Sequence, residues 1–187
     1  MNFSVENYIL SLNKVLEEIN KEQIKKAMSL VKNNFIKGKK IITCGNGGSA
    51  YNASHYITDW NKMTNISKNQ NFFGFSLCDN LGLITAYAND VNYEHIFEGQ
   101  LKCIMEKDDL LICISGSGNS KNVLNAAEYA NSKGATTLGI VGFDGGQLIN
   151  KCKYNVHVPS HDMQLCEDVH LIIGHMITKD LADFKIS

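Results

Sequence analysis

The stretch LLICISGSGNS, residues 110–120, decides the fold class. Its first five residues are all apolar, which is typical of a strand that is buried on both faces of a sheet. Serine and glycine then alternate, and a helical pattern follows from about residue 119 to residue 133. A short apolar strand, a glycine-rich turn and a helix in this order predict an α/β protein with a parallel sheet.

The same plan occurs elsewhere in the chain. Residues 40–44 form an apolar, β-branched run that ends at the glycine-rich turn GNGGS, residues 45–49, and a helical pattern extends from there to about residue 60. Further strands are predicted at 72–78, 136–141 and 155–159, and further helices at 81–88, 93–104 and 163–184. In the N-terminal part, residues 4–35 predict two helices or one broken helix.

Length and composition limit the classes of protein. A chain of 187 residues with 44% hydrophobic residues fits one domain with a sizeable core. Its formal charge of −1, with basic residues spread along the chain, gives no reason to expect a nucleic acid or a membrane as partner. The first residues lack the pattern of a signal peptide and no long apolar run occurs, so we expect a cytoplasmic protein.

The six cysteines do not form a recognisable metal or redox motif. They are well separated, without any Cys-x-x-Cys pair. Cys44, Cys78 and Cys113 lie in apolar runs, which favours buried thiols.

The two glycine and serine loops have the chemistry of an anion site. A glycine-rich turn that leads into a helix offers exposed N–H groups and the positive end of the helix dipole. Ser115, Ser117 and Ser120 add three hydroxyl donors, which suits one phosphate monoester. Neither loop has the spacing of a P-loop or of the dinucleotide fingerprint, which disfavours a nucleotide. The alternative is that both loops are only tight turns with helix N-caps.

Two helices carry candidate acid, base and metal residues. His55 and Asp59 are four residues apart on the helix after the first loop, so they share one face and could bind a metal or transfer protons. An ordinary surface contact is the alternative for such a pair. On the last helix, Glu167 and His175 are eight residues apart, roughly 80° around the axis, and geometry alone favours Asp168 over Glu167 as the partner of His175.

Several motifs together resemble the sugar isomerase (SIS) family and, within it, the phosphoheptose isomerases. The match runs almost from end to end of the chain, and the motifs are specific in combination rather than singly. The segments that carry it are 44–50, His55, 88–90, 114–120, 141–146, 167–170 and His175.

The resemblance implies a fold and an assembly. The expected fold is an SIS-type, flavodoxin-like three-layer αβα sandwich with about five parallel strands, in a single SIS domain that spans residues 1–187. N-terminal helices occupy 1–36, and the αβα core occupies 37–187. The resemblance also implies a homotetramer with active sites at subunit interfaces.

The resemblance further implies the site residues. Residues that match the family's ligand contacts are expected to bind the sugar phosphate, and Ser49 is a local addition to them. Zinc, one ion per site at a subunit interface, is expected to bind His55, Asp59, Glu167 and His175. Asp59 and His175 are expected to be the acid and base. The expected substrate-binding residues are Asn46, Gly47, Gly48, Ser49, Asp59, Asn89, Asp90, Ser115, Gly116, Ser117, Ser120 and Glu167.

The implied activity is the isomerisation of sedoheptulose 7-phosphate to D-glycero-D-manno-heptose 7-phosphate through an enediolate. In the family this is the first step towards nucleotide-activated heptose for surface polysaccharide. The chain departs from the family at Asp59, where glutamate is usual, at Glu167, where glutamine is usual, and at Leu165, where arginine is usual. Two alternatives therefore stay open: a catalytically silent SIS protein that binds a phosphosugar or a protein for regulation, and an isomerase of another phosphosugar.

Overall fold

The computed structural model describes residues 3–68 and 70–184. Five parallel strands form one sheet in the order β2-β1-β3-β4-β5. This confirms the predicted flavodoxin-like α/β fold. The strands are β1 (Ile41–Cys44), β2 (Gly74–Ser76), β3 (Leu110–Ser115), β4 (Thr136–Val141) and β5 (Tyr154–His157). The helices are α1 (Val5–Glu18), α2 (Lys21–Ile36), α3 (Gly48–Lys68), α4 (Leu81–Asp90), α5 (Ile96–Ile104), α6 (Lys121–Ser132), α7 (Leu148–Lys151) and α8 (Met163–Asp183), with a 3-10 turn at Tyr93–His95.

The apolar strands place side chains alternately on two faces, and a layer of helices covers each face. Ile41 and Ile112 point to one face and pack in the core that includes buried residues of α1, α2, α3 and α8. Ile42 and Cys113 point to the opposite face, which α5, α6 and α7 cover. The placement of α3 and α8 in the same layer brings the two candidate catalytic helices side by side.

The N-terminal segment forms two helices rather than one broken helix. Ser4 caps α1 by accepting a hydrogen bond from the Asn7 N–H, and Asn20 caps α2 by accepting bonds from the first turn of that helix. Ala27 and Val31 of α2 are fully buried in the core that also contains α8. The N-terminal helices are therefore part of the layer that supports the candidate site.

Several elements differ from the sequence prediction. Helix α3 continues to Lys68 instead of ending near Trp60, since Thr64, one turn beyond Trp60, is still fully buried and its hydroxyl donates to the Trp60 carbonyl at 2.7 Å. Strand β2 covers only Gly74–Ser76, the three residues that pair with β1, instead of the predicted 72–78. Helix α7 was not predicted, because four residues are too few to show a helical period. None of the helices in the described residues is long and apolar enough to cross a bilayer.

One core residue of α8 makes stability depend on pH. The His170 side chain is fully buried, neither ring nitrogen has a hydrogen-bond partner of good geometry, and burial lowers the pKa of His170 from 6.5 to about 4. The unfolded chain therefore takes up a proton as pH falls below 6.5, whereas the folded chain resists protonation until about pH 4. We expect the free energy of unfolding to decrease by about 3 kcal/mol across this window.

Urea unfolding at pH 7 and at pH 4.5, with His170→Gln alongside the unchanged protein, measures how much His170 contributes to the change in the free energy of unfolding. The variant should be less sensitive to pH, because its side chain does not titrate. An equal loss of stability in both proteins would assign the pH dependence to other groups.

Candidate functional site

The two predicted loops lie together at one end of the sheet. The first loop follows β1 and the second follows β3, and these strands are neighbours in the centre of the sheet. Chain connections leave β1 and β3 in opposite directions across the sheet, which is where open α/β sheets form a ligand crevice. A cavity of about 270 Å³ opens at this point. Its lining consists of Asn46, Gly47, Gly48, Ser49, Ile114, Ser115, Gly116, Ser117, Ser120, Met163 and Glu167.

The second loop keeps donors directed towards the cavity. Ser120 is the N-cap residue of α6 but makes no side-chain capping bond, so its hydroxyl and the N–H groups of Lys121 and Asn122 are available to an anion. Ser115 Oγ accepts the Gly118 N–H at 3.1 Å, and Ser117 Oγ accepts the Asn119 N–H at 3.3 Å. These bonds fix the turn and leave the hydroxyl hydrogens of both serines free to donate.

The glycine turn after β4 supports the second loop. Gly118 has φ +65°, and a side chain on it would overlap the Gly145 carbonyl. In return, a side chain on Gly146 would overlap the backbone of Ser117 and Gly118. The Leu148 N–H, at the start of α7, donates to the Gly118 carbonyl at 2.9 Å. The backbone of segment 141–146 therefore packs against the second loop, the serine loop at residues 115–120, and supports it.

The first loop is held by residues that sequence reasoning missed. Asn46 and Asn122 exchange two amide hydrogen bonds of 2.8 and 2.9 Å, and the Tyr93 hydroxyl donates to Asn46 Oδ1 at 2.8 Å. Asn122 is buried at the start of α6. The signal available in the sequence was a polar residue, Asn122, on the apolar face of a helix. Met163 and Ile114 also line the cavity and were not predicted to do so.

The predicted residues Asn89 and Asp90 lie elsewhere. They occupy the exposed last turn of α4, where the Asn89 amide donates to Asp90 Oδ1 at 2.9 Å. Neither lines the cavity of its own chain, because α4 ends on the outer surface and only Tyr93, after it, reaches Asn46. Their contact with the phosphosugar stays a prediction.

Three of the four predicted metal ligands converge. The Nε2 atoms of His55 and His175 lie 3.1 Å apart, and Asp59 Oδ2 lies 3.4 Å from the first and 3.8 Å from the second. The three side chains are partly exposed, and their donor atoms all lie within 4.8 Å of one another. Two imidazoles and one carboxylate are a donor set that suits zinc. The chemistry of these residues therefore fits the expected metal.

Both histidines come from one chain, which corrects the expectation that two subunits supply them. Gly174, just before His175, lets α8 approach α3 closely, since a side chain there would overlap the Tyr56 ring. The Tyr56 hydroxyl donates to the His170 carbonyl, and Trp60 Nε1 donates to the Gly174 carbonyl at 3.3 Å. These contacts fix α8 against α3, so His55 and His175 meet without a partner.

Glu167 and Asp168 point to different places. Glu167 lines the cavity, and its carboxylate packs against the Cα of Gly48 rather than joining the histidines. Asp168 accepts a hydrogen bond of 2.6 Å from the Tyr8 hydroxyl on α1, and this bond raises the pKa of Tyr8 to about 12. Geometry on the helix wheel favoured Asp168, and the structure corrects this, because α1 covers that side of α8. The fourth metal position expected for Glu167 is not filled within one chain.

Comparison with known proteins agrees with this geometry. A family model for the SIS domain matches residues 6–142, which defines the class of protein. The phosphoheptose isomerase of Aliarcobacter butzleri is 35% identical over 177 residues, covering 95% of this chain and 92% of that protein. That of Helicobacter pylori is 35% identical and covers 89% and 86%. The chain therefore belongs to the phosphoheptose isomerase family of SIS-domain proteins.

The solved structures give the same result for the fold. The structure of a phosphoheptose isomerase from Neisseria gonorrhoeae superimposes with a TM-score of 0.89 at 25% identity, covering 96% of this chain and 97% of that one. A phosphoheptose isomerase from Francisella tularensis gives a TM-score of 0.87 at 24% identity, covering 96% and 94%. The fold thus extends over nearly the whole of both chains.

Proposed function

We propose that this protein isomerises sedoheptulose 7-phosphate to D-glycero-D-manno-heptose 7-phosphate. The observation that carries the proposal is the alignment of two sites along α3 and α8. One is the cavity between the two loops, and the other is the cluster of His55, Asp59 and His175. Gly48 and His55, seven residues apart on α3, place the anion cavity and the His/Asp group about 10 Å apart along one helix face. An extended heptose phosphate spans on the order of 10 Å from phosphorus to carbon 1, at the ~1.2 Å per bond of an extended chain.

At the cavity end, this chain's residues hold the phosphate. The helix starts of α3 and α6 direct N–H groups and positive dipole ends to the cavity, and Ser115, Ser117 and Ser120 donate hydroxyl hydrogens. Fixing the phosphate fixes the position of carbons 1 and 2 along the groove. Gly47 leaves space for it, because no atom lies within 4 Å of a Cβ built on that residue.

At the other end, Asp59 and His175 exchange protons with the substrate. One of the pair removes a proton from carbon 1 of the ketose, which gives the enediolate, and the other donates a proton to the oxygen on carbon 2. The enediol then receives a proton on carbon 2 and loses one from the oxygen on carbon 1, which becomes the aldehyde. A carboxylate and an imidazole held within reach of each other suit both transfers near neutral pH. The substrate loses two protons and gains two, so the aldose has the same composition and charge as the ketose.

We also propose that His55, Asp59 and His175 hold one zinc ion. When bound, the ion would supply a positive charge that stabilises negative charge developing on the substrate oxygens. His55 has no other task in the proposal, so we infer that it is mainly a ligand. Asp59 and His175 would exchange protons only while their donor atoms are not bound to the ion, so their two roles alternate.

The Asp59→Asn variant tests the metal. An amide is a poorer zinc ligand than a carboxylate, so we expect zinc affinity to fall by at least about tenfold. Metal content and competition with a chromophoric chelator measure this. Asp168→Asn is the matched control, since Asp168 contacts Tyr8 on the other side of α8. Equal zinc retention in the two variants would contradict the assignment.

Incubation with sedoheptulose 7-phosphate tests the activity. The aldose product should be formed. Ketose phosphates with shorter carbon chains should react more slowly, because they do not span the distance from the anion cavity to Asp59 and His175. Ligand binding without turnover of any ketose phosphate would overturn the enzyme assignment and favour the regulatory alternative.

We further propose a homotetramer in the cytoplasm. Leu81 at the start of α4 is 71% exposed, and Phe73 and Phe75, at the edge strand β2, are 49% and 42% exposed; self-association would cover these side chains. Asn89 and Asp90 lie on α4 as well, so the cavity that they could reach is the one in a neighbouring copy of the chain. The six cysteines are present as thiols, which suits a reducing compartment. Light scattering measures the assembly, and a monomer would contradict it.

A further inference from the structure

The anion cavity contains a negative charge and no positive one. Of the residues that line it, Glu167 is the only one with a formal charge, and none is Lys, Arg or His. Lys121, which follows Ser120, places its Nζ 2.9 Å from Glu94 Oε1, on the exposed side of α6. An incoming phosphate is therefore held by neutral donors and helix ends while it faces a carboxylate.

The position of that carboxylate is defined by the contact between α8 and α3. A side chain on Gly48 would overlap all three carboxyl atoms of Glu167, so the carboxylate lies against the first residue of α3. Asn52, one turn further along α3, is buried and donates from Nδ2 to the Glu167 carbonyl at 3.0 Å. This bond holds the backbone of Glu167 beside the start of α3, where a phosphate would bind.

A carboxylate at this place affects two kinds of ligand differently. It accepts hydrogen bonds and donates none, so it repels phosphate oxygens but can accept bonds from hydroxyl groups. A phosphate on a hydroxylated chain can offset the repulsion by donating its hydroxyl hydrogens to Glu167. Free inorganic phosphate has no such chain, and at neutral pH only the one or two P–OH groups of the anion itself can donate to Glu167. Specificity arises here from a repulsive element as well as from attractive ones.

We propose that Glu167 is a specificity-determining residue that excludes free inorganic phosphate from the cavity and favours a phosphate carried on a polyol chain. This inference rests on the proposed function for its substrate class. Its binding test does not, because the affinity for inorganic phosphate is measured without turnover.

The experiment compares Glu167→Gln with the unchanged protein, both as purified. Glutamine keeps the size of the side chain and removes the charge. We expect inorganic phosphate, measured by calorimetry, to bind on the order of tenfold more tightly to the variant. The affinity for sedoheptulose 7-phosphate, measured in the same way, should change by less than threefold, because the lost repulsion and the weakened hydroxyl bonds offset each other. Glu6→Gln, an exposed change of equal charge on α1, should leave both affinities unchanged.

Two outcomes would overturn the inference. The first is an affinity for inorganic phosphate that is equal in the variant and in the unchanged protein, including no detectable binding to either. The second is an equal gain for both ligands, which would mean that Glu167 repels every phosphate without discrimination. Thermal unfolding of the variants confirms that they are folded. If the protein turned over no ketose phosphate but still showed the gain for inorganic phosphate, the proposed function would fail and the role of Glu167 in excluding phosphate would stand.

Discussion

Replacement of His175 by alanine should reduce kcat for sedoheptulose 7-phosphate on the order of a thousandfold, with a much smaller effect on KM. The side chain is both a proton donor or acceptor and a proposed zinc ligand, and a positioned acid or base alone contributes roughly 10²- to 10⁴-fold. The phosphate cavity lies two helix turns away and does not include His175, so ground-state binding of the phosphate should persist. Steady-state kinetics separates the two effects.

Stability should change little in the same variant. The His175 side chain is 49% exposed and its contacts are with His55 and Asp59, which are partly exposed as well. His95→Ala is the control, because His95 contacts Glu98 on the opposite side of the sheet and belongs to neither site. A His175→Ala enzyme that retained more than a tenth of the original kcat would remove His175 from the proposed acid and base pair.

The strands and loops were predictable because their signals are local. The run at residues 110–114 is apolar without interruption, and its buried strand differs from the prediction by one residue. The helical pattern predicted to about residue 133 corresponds to α6, which ends at Ser132 and is followed by Gly134 with φ +74°. Parallel strands place their carboxyl ends on one edge, so both loops were expected to meet there, and the sheet order confirms it.

The contents of the site were less predictable because they depend on packing between helices. His55 and His175 meet because Gly174 admits the Tyr56 ring, a contact between residues that are distant in sequence. The choice between Glu167 and Asp168 was settled by Tyr8 of α1, which neither a helical wheel nor a motif includes. Glu167, which the resemblance gave as a substrate and metal ligand, lines the cavity, whereas Asn89 and Asp90 do not line it.

Replacement of Gly118 by alanine should destabilise the protein by about 3 kcal/mol. The backbone at Gly118 has φ +65°, which costs a residue with a side chain roughly 1–2 kcal/mol. The added Cβ would also overlap the Gly145 carbonyl, and forcing an atom into a closely packed place costs roughly 1–3 kcal/mol more. Urea unfolding at neutral pH measures the change. The displaced serine loop should bind phosphate more weakly as well.

Gly38 provides a matched control for this prediction. Its φ is +61°, nearly that of Gly118, but no atom lies within 4 Å of a Cβ built on it. Gly38→Ala should therefore cost only the backbone term, about 1 kcal/mol, and leave phosphate binding unchanged. The difference between the two variants isolates the contact between the serine loop and the glycine turn at 145–146. If both variants lost the same stability, that turn would not support the loop, and the role assigned here to residues 141–146 would be wrong.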